Sequence, residues 1–444
     1  MRGSKERVAD VVVIGAGVAG LAAALRLAEK GFRVVVLEAR ARAGGRIWSQ
    51  KAKGWPGPAE LGAEFIHGGN EALSRAMRRA GIGTAPMMTR QWFVDANGRR
   101  RADTWERIDA VMRRIGPRFR GSFAEWLRRD GGKLSAEDRA LARTFVEGFQ
   151  AAPVERMSAA LLFEETKQDE PQRRPKDGYG RLVAWFLQGL AARKVRIELK
   201  TPVTAVKWSR AQVGVETRRG RWLARAAIVT LPPGVLGMRE GEGAIRFVPR
   251  LPAKEKLWRE LETGHAQRLV LRMRGDVWRR GPVPKAMGAG DGKAFGFVQS
   301  LEKFFPVWWS EAPRPLLVGW TGGPAAKEMG AWPERRIFET ARRTLARLLG
   351  CDEALLARAI VDWRLHNWSA DPFSRGAYSF SIAGRGDAPA KLAEAEQETL
   401  FFAGEATGAP LELGTVHGAL ASGERAAEEA GRNLGIVKTE NRES

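Results

Sequence analysis

Apolar residues along the chain switch between three patterns, and each switch marks an element. Val11 to Ile14 and Arg33 to Leu37 carry nearly unbroken apolar runs, the pattern of parallel strands buried on both faces, with a helix predicted between them. From residue 104 to 195 the period becomes helical. Trp105, Ile108, Val111, Met112 and Ile115 fall on one face, and Ser122 with Glu125 and Ser135 with Asp138 are helix-start signals. Gly178-Tyr179-Gly180 opens a further helix. Short alternating runs at Arg196 to Leu199, Val203 to Trp208, Gln212 to Thr217 and Ala226 to Leu231 each predict a strand. Residues 251 to 390 continue strand-rich, and a last strand over Leu400 to Glu405 precedes a helix opening at Gly414 to Ala419.

The first strand runs directly into Gly15-Ala16-Gly17-Val18-Ala19-Gly20. In a strand, turn and helix unit the three glycines act separately. Gly15 makes the bend, Gly17 lets a pyrophosphate approach the backbone, and Gly20 lets the helix pack on the strand. The helix N-terminus then meets phosphate charge with unpaired amides and its macrodipole. The second strand ends at Glu38, where a carboxylate accepts hydrogen bonds from both ribose hydroxyls and repels a 2′-phosphate. A GxGxxG string alone arises by chance in a chain with 51 glycines. Strand, helix, second strand and acid in register make dinucleotide binding the better reading. A second loop follows, Arg40-Ala41-Arg42-Ala43-Gly44-Gly45-Arg46, for which a nicotinamide site has no need.

With these two loops the sequence resembles the flavin-containing amine oxidase family, which includes monoamine oxidases, polyamine oxidases, L-amino-acid oxidases and flavin-dependent histone lysine demethylases. The resemblance implies FAD as cofactor, with Glu38 on the adenosine ribose, Arg46 against the pyrophosphate, and Arg40, Gly44 and Gly45 in the same binding loop. Gly62, Ala63, Glu64, Phe65 and His67 match a loop that lines the flavin and the substrate cavity. His67 stands where some polyamine oxidases have a histidine, although a histidine in an apolar loop is as readily a structural residue. Val203 is implied beside the adenine, and Gly404 and Glu405 at the ribityl chain. Thr415 and Val416 open a helix whose N-terminus stabilises negative charge on the flavin pyrimidine. The implied fold class is α/β: a Rossmann-like FAD-binding domain (1–70, 191–250 and 391–444) interleaved with a mixed α+β substrate domain. That second domain is helical over 71–190 and strand-rich over 251–390.

At 444 residues the chain exceeds what one core comfortably holds, which agrees with two domains. Lys and Arg exceed Asp and Glu by 74 − 51 = 23, a balance that suits an anionic partner. The arginines are dispersed, with no basic tail or repeated block, so no nucleic acid is expected. Cys351 is the only cysteine, which excludes an intramolecular disulfide and a cysteine metal site, and no metal is expected. A first strand this near the N-terminus and a short polar C-terminal stretch predict neither signal peptide nor membrane span, hence a cytoplasmic monomer or homodimer. Glu164 to Glu170 is the densest acidic patch, read as a solvated helix end or as a mouth that attracts a cationic amine. Phe304, Phe305, Trp308, Trp309 and Trp320 are expected mainly in the core.

Amine oxidation passes a hydride equivalent from the carbon next to nitrogen to the flavin, so the site must be dry and must hold the reacting amine neutral. The resemblance implies Trp368 and Tyr378 as aromatic residues flanking the flavin. Three positions depart from the family. Ala377 stands where monoamine oxidases carry the cysteine that attaches FAD, which implies noncovalent binding. Thr415 replaces a second cage tyrosine. Arg268 falls where the family has a lysine holding a water near the flavin, unless it is an ordinary strand residue. The reading is oxidation of a primary or secondary amine to an imine, hydrolysed to an aldehyde, with dioxygen reduced to hydrogen peroxide. Rivals are an L-amino-acid oxidase, a carotenoid-desaturase or protoporphyrinogen-oxidase type enzyme, and a flavin-containing chromatin or nucleic-acid partner.

Overall fold

The computed structural model describes residues 7–86, 91–95, 97–98, 100–168, 172–274, 296–311 and 314–440, so Asp169 and Glu170 of the acidic patch and the last four residues of the polar tail lie outside it. Its centre is a parallel sheet in the order Arg196–Glu198, Val34–Leu37, Val11–Ile14, Ala226–Val229 and Leu400–Phe402. The strand period of two sorts its side chains between layers. Val11, Val13, Val34 and Val36 pack under the helix Val18–Glu29, whereas Val12, Ile14, Val35 and Leu37 face a second sheet. Both faces are therefore buried, which is why these strands are apolar without alternation. The helix Val416–Glu440 lies close on Val18–Glu29: a Cβ on Gly423 would stand 2.2 Å from the Ala19 carbonyl oxygen.

The second sheet runs Arg7–Val8, Gly220–Ala224, Gln212–Thr217, Val203–Ser209 and Arg246–Val248. A third, seven-stranded sheet runs Ile360–Leu365, Ala266–Met273, Leu316–Gly322, Val307–Ser310, Phe297–Ser300, Gln91–Val94 and Arg100–Arg101. Four helices, Thr104–Arg113, Phe123–Asp130, Ala136–Phe149 and Ala159–Glu165, share one apolar cluster that also takes in Phe93. The start signals act as expected. Ser122 and Glu125 form a reciprocal capping box, and Ser135 Oγ accepts from the Asp138 amide, each arrangement contributing about 1 kcal/mol. Among the described residues no helix is long and apolar enough to cross a membrane, and no group of three His, Cys, Asp or Glu is placed to hold a metal.

Several elements depart from the sequence expectation. Gly220–Ala224 is a strand hidden in an arginine-rich run, where Trp222 and Ala224 are buried and Arg221 and Leu223 are half-buried. Gln91–Val94 and Arg100–Arg101 join the third sheet from a region read as helical, being too short to impose a period of their own. The last strand stops at Phe402, because Gly404 takes φ 134° and Glu405 begins a one-turn 3₁₀ helix.

Candidate active site

A cavity of about 610 Å³ opens at the C-terminal ends of the central strands and extends to the third sheet. Its first half is built by the two glycine loops. Gly15 holds φ +104°, and a Cβ on Gly20 would lie 2.0 Å from the Gly15 carbonyl oxygen, so both positions require glycine for protein reasons. Gly17 is different. A Cβ there meets no protein atom within 4 Å, yet the residue lines the cavity, as expected if glycine serves the approach of a ligand. The Gly44 amide donates to the Ala16 carbonyl at 2.8 Å and locks the second loop onto the first. The buried Glu38 carboxylate accepts from the Ala16 and Arg40 amides, each at 2.8 Å, and stands at the cavity wall with Val203. The glycine-lined backbone, the helix N-terminus and the buried carboxylate together fit an adenine dinucleotide.

Where the dinucleotide half meets the rest, Glu405 is the centre. One of its oxygens accepts from Arg46 (2.7 Å) and Ser379 Oγ (3.2 Å), the other from the Ser379 (3.2 Å) and Gly414 (3.0 Å) amides. Arg46 also donates to the Ala377 carbonyl at 2.8 Å, and Gly404 lies beside it in the lining. Thr415 caps the C-terminal helix: its Oγ1 accepts from the Gly418 amide at 3.0 Å and donates to the Glu412 carbonyl at 2.6 Å. Val416 follows it in the cavity wall. Arg40 lines the cavity too, but its guanidinium is held by Asp371 (2.6 Å) and Ser374 (2.7 Å).

The second half is aromatic. Trp368 is buried and donates from Nε1 to the Leu61 carbonyl at 2.7 Å. Tyr378 stacks on Trp320 (6.4 Å, 11°) and donates to the Phe149 carbonyl at 2.7 Å; burial pushes its phenol far up. Phe305, Trp308 and Trp309 are buried in the core as expected, and Trp309 together with the partly buried Trp320 also lines the cavity, as do Trp105, Phe145 and Phe149. His67 lines the cavity and pairs through Nδ1 with Gln172 at 3.3 Å; its desolvation within the site, and then His417, shift its pKa downward. Gly62 tolerates no side chain, since a Cβ would lie 1.9 Å from the Arg46 carbonyl oxygen, and Ala63 and Phe65 continue the wall beside it.

Arg268 is fully buried in the third sheet, and its guanidinium reaches Glu64 and the Glu60 carbonyl, each at 2.5 Å. Glu64 also accepts from Trp309 Nε1 (3.2 Å) and Arg174 (3.4 Å). The Arg268 position is therefore an enclosed ion pair, with neither group free to grip a ligand. Behind it, burial raises Glu60 to about 8 and also raises Glu311.

Among the described residues, the cavity carboxylates Glu38, Glu64 and Glu405 each have several donors, whereas Glu165 has one, Gln150 Nε2 at 2.8 Å. Burial pushes Glu165 up to about 7 against that hydrogen bond. The acidic patch thus divides. Glu164 pairs with Lys167 at 2.7 Å on the outside, and Glu165 turns inward because it follows the buried Leu161 by one helical turn. The i, i+4 spacing was the available signal for this residue.

A dinucleotide-binding sheet joined to a separate sheet through one aromatic cavity defines a flavoprotein oxidoreductase architecture. The sequence matches the flavin-containing amine oxidoreductase family over residues 18–430, and the chain belongs to that family. It is therefore an enzyme whose cofactor is FAD. Human lysine-specific histone demethylase 2 is 27% identical over 94% of this chain, which spans 53% of that relative's length. Polyamine oxidase 2 of Arabidopsis thaliana is 26% identical over 96% of this chain and 88% of its own. A putrescine oxidase bound to putrescine shares the fold (TM-score 0.76, 21% identity, 95% of this chain and 98% of that one). So does cyclohexylamine oxidase from Brevibacterium oxydans (TM-score 0.77, 19% identity, 96% and 99%).

Proposed function

We propose that the protein oxidises a primary or secondary amine bearing a second cationic nitrogen, a diamine or polyamine, to an imine that water hydrolyses to an aldehyde, with dioxygen reduced to hydrogen peroxide. FAD, held without a covalent link since Ala377 offers no nucleophile, supplies the hydride acceptor when bound. Gly17, Glu38, Arg46 and Glu405 hold the dinucleotide, and Trp368 and Tyr378 wall the reacting amine.

The observation that carries this reading is Glu165, the cavity carboxylate that has a single, neutral donor among the described residues. Desolvation in an aromatic lining disfavours a charged amine where chemistry occurs, which keeps the reacting nitrogen neutral. A second ammonium near Glu165 meets the opposite situation, since each charge there offsets the desolvation of the other. Residue spacing supports the arrangement: Tyr378 is held by Phe149 and Glu165 by the adjacent Gln150, so one turn orients the aromatic wall and the carboxylate together.

An amino-acid substrate needs a free arginine for its carboxylate. The lining arginines Arg40, Arg46 and Arg268 are each engaged by Asp371, Glu405 and Glu64, which weighs against that rival. The test is anaerobic bleaching of the flavin by diamines, aromatic monoamines and L-amino acids. Bleaching by diamines at the lowest concentrations is expected; bleaching by L-amino acids alone overturns the proposal.

A further inference from the structure

Trp368 forms part of the cavity wall, and the hydrogen bond of its side chain, to Leu61, pins only the Nε1 corner of the indole. A ring pinned at one corner still swings about that point unless a second contact fixes its plane. His366 supplies one such contact, beside Arg42, whose guanidinium lies over the Trp48 ring at 4.4 Å and over the Trp368 ring at 5.9 Å. Its imidazole meets Trp368 edge-on (4.3 Å between centroids, 79°) and meets Trp48 in the same way (4.9 Å, 78°). Trp48 in turn stands edge-on to Trp368 at 6.4 Å, so the three rings brace one another.

The imidazole is itself held, through Nε2 to Asp371 Oδ2 at 2.9 Å. Burial raises the Asp371 carboxyl, but the His366 hydrogen bond and the Arg40 charge outweigh it and hold the group at about 2. Asp371 is thus an ionised acceptor, and Nε2 carries the proton. The other Asp371 oxygen accepts from Arg40 at 2.6 Å and from the Phe373 amide at 2.9 Å. The backbone of Arg40 donates to Glu38, the ribose-facing acid. A chain of hydrogen bonds therefore runs from Glu38 through Arg40 and Asp371 to His366, whose imidazole meets the ring of Trp368 edge-on.

We propose that His366 is a positioning residue: anchored on Asp371, it sets the ring plane of Trp368 and keeps the amine wall in register with the dinucleotide loop. Its bearing on turnover rests on the amine-oxidase reading above; its bearing on the flavin's surroundings does not.

The test compares FAD-loaded parent, His366→Leu and His366→Gln, because leucine keeps bulk without the anchor and glutamine restores a donor toward Asp371. Two readouts are taken: the visible circular dichroism of the resting flavin without amine, and the anaerobic rate of flavin reduction at saturating 1,4-diaminobutane. His366→Leu is expected to change the dichroism and to slow reduction about tenfold or more, since small displacements of a positioning group carry such factors. The amine concentration at half-saturation and the FAD content are expected to stay near parent values, and His366→Gln to recover most of both signals. If His366→Leu does not fold, His366→Asn takes its place, polar but too short to reach Asp371. Parent-like dichroism in the leucine or asparagine variant overturns the proposal, as does glutamine failing to recover what leucine loses. A parent that 1,4-diaminobutane does not bleach counts against the diamine reading, while the dichroism still decides the role of His366.

Discussion

The two halves of the cavity treat negative charge in opposite ways. In the dinucleotide half and at its border, carboxylates are anchored by two or more donors: Glu38 has two backbone amides and Glu405 has Arg46, a hydroxyl and two amides. Anchoring fixes their geometry before any ligand arrives and leaves acceptor sites on Glu38, which suits a cofactor that stays. In the aromatic half Glu165 has one neutral donor among the described residues and is raised by burial to about 7. An incompletely compensated group is costly alone and gains most from a visiting cation, which suits a substrate that leaves.

Removing the cation from a buried ion pair should have the largest effect on the fold. Arg268→Met leaves Glu64 buried without its main cation and should cost about 3 kcal/mol or more of stability, read from urea unfolding. Loss of under 1 kcal/mol would mean that Arg174 alone suffices. Tyr378→Ala should slow anaerobic flavin reduction on the order of 100-fold while FAD stays bound, because it disturbs only the reacting geometry. Parent-like reduction by every good amine would put the wall elsewhere.

Gly17→Ala separates ligand space from protein space. Its φ of −69° suits any residue and its Cβ meets no protein atom, so apoprotein stability should change by under about 0.5 kcal/mol. FAD affinity should nevertheless fall about tenfold or more, near 1.4 kcal/mol, by fluorescence titration; equal affinity removes Gly17 from the pyrophosphate site. Glu38→Ala should weaken FAD by roughly 1.5–3 kcal/mol through lost charge-assisted hydrogen bonds.

How much of this was legible in the sequence follows the same division. The dinucleotide half is written in short contiguous stretches, Gly15 to Gly20 and Glu38 to Arg46, where the role of each residue follows from its neighbours along the chain. Alternation along Val11–Ile14 even determines which core each side chain enters. The amine half gathers Glu165, Trp309, Trp320 and Tyr378 from separate elements, and no local pattern distinguishes a cavity-lining tryptophan from a core one. Arg268 was legible as a position but not as an ion pair, because its partner Glu64 lies 204 residues away. The chain from Arg40 to His366 was invisible for the same reason, closing over 331 residues at Asp371.

The most direct measurement uses Glu165 and pH together. Because its folded-state pKa is raised, the carboxyl is neutral below about 7 and ionised above, so pairing with a cationic amine should strengthen as pH rises through that value. The FAD-loaded parent and Glu165→Gln are titrated anaerobically with 1,4-diaminobutane and with butylamine on both sides of neutrality, and the flavin absorbance is followed. The parent should prefer the diamine, with the preference growing as pH rises through about 7, and Glu165→Gln should lose both the preference and its pH dependence. An undiminished preference in Glu165→Gln would contradict the account.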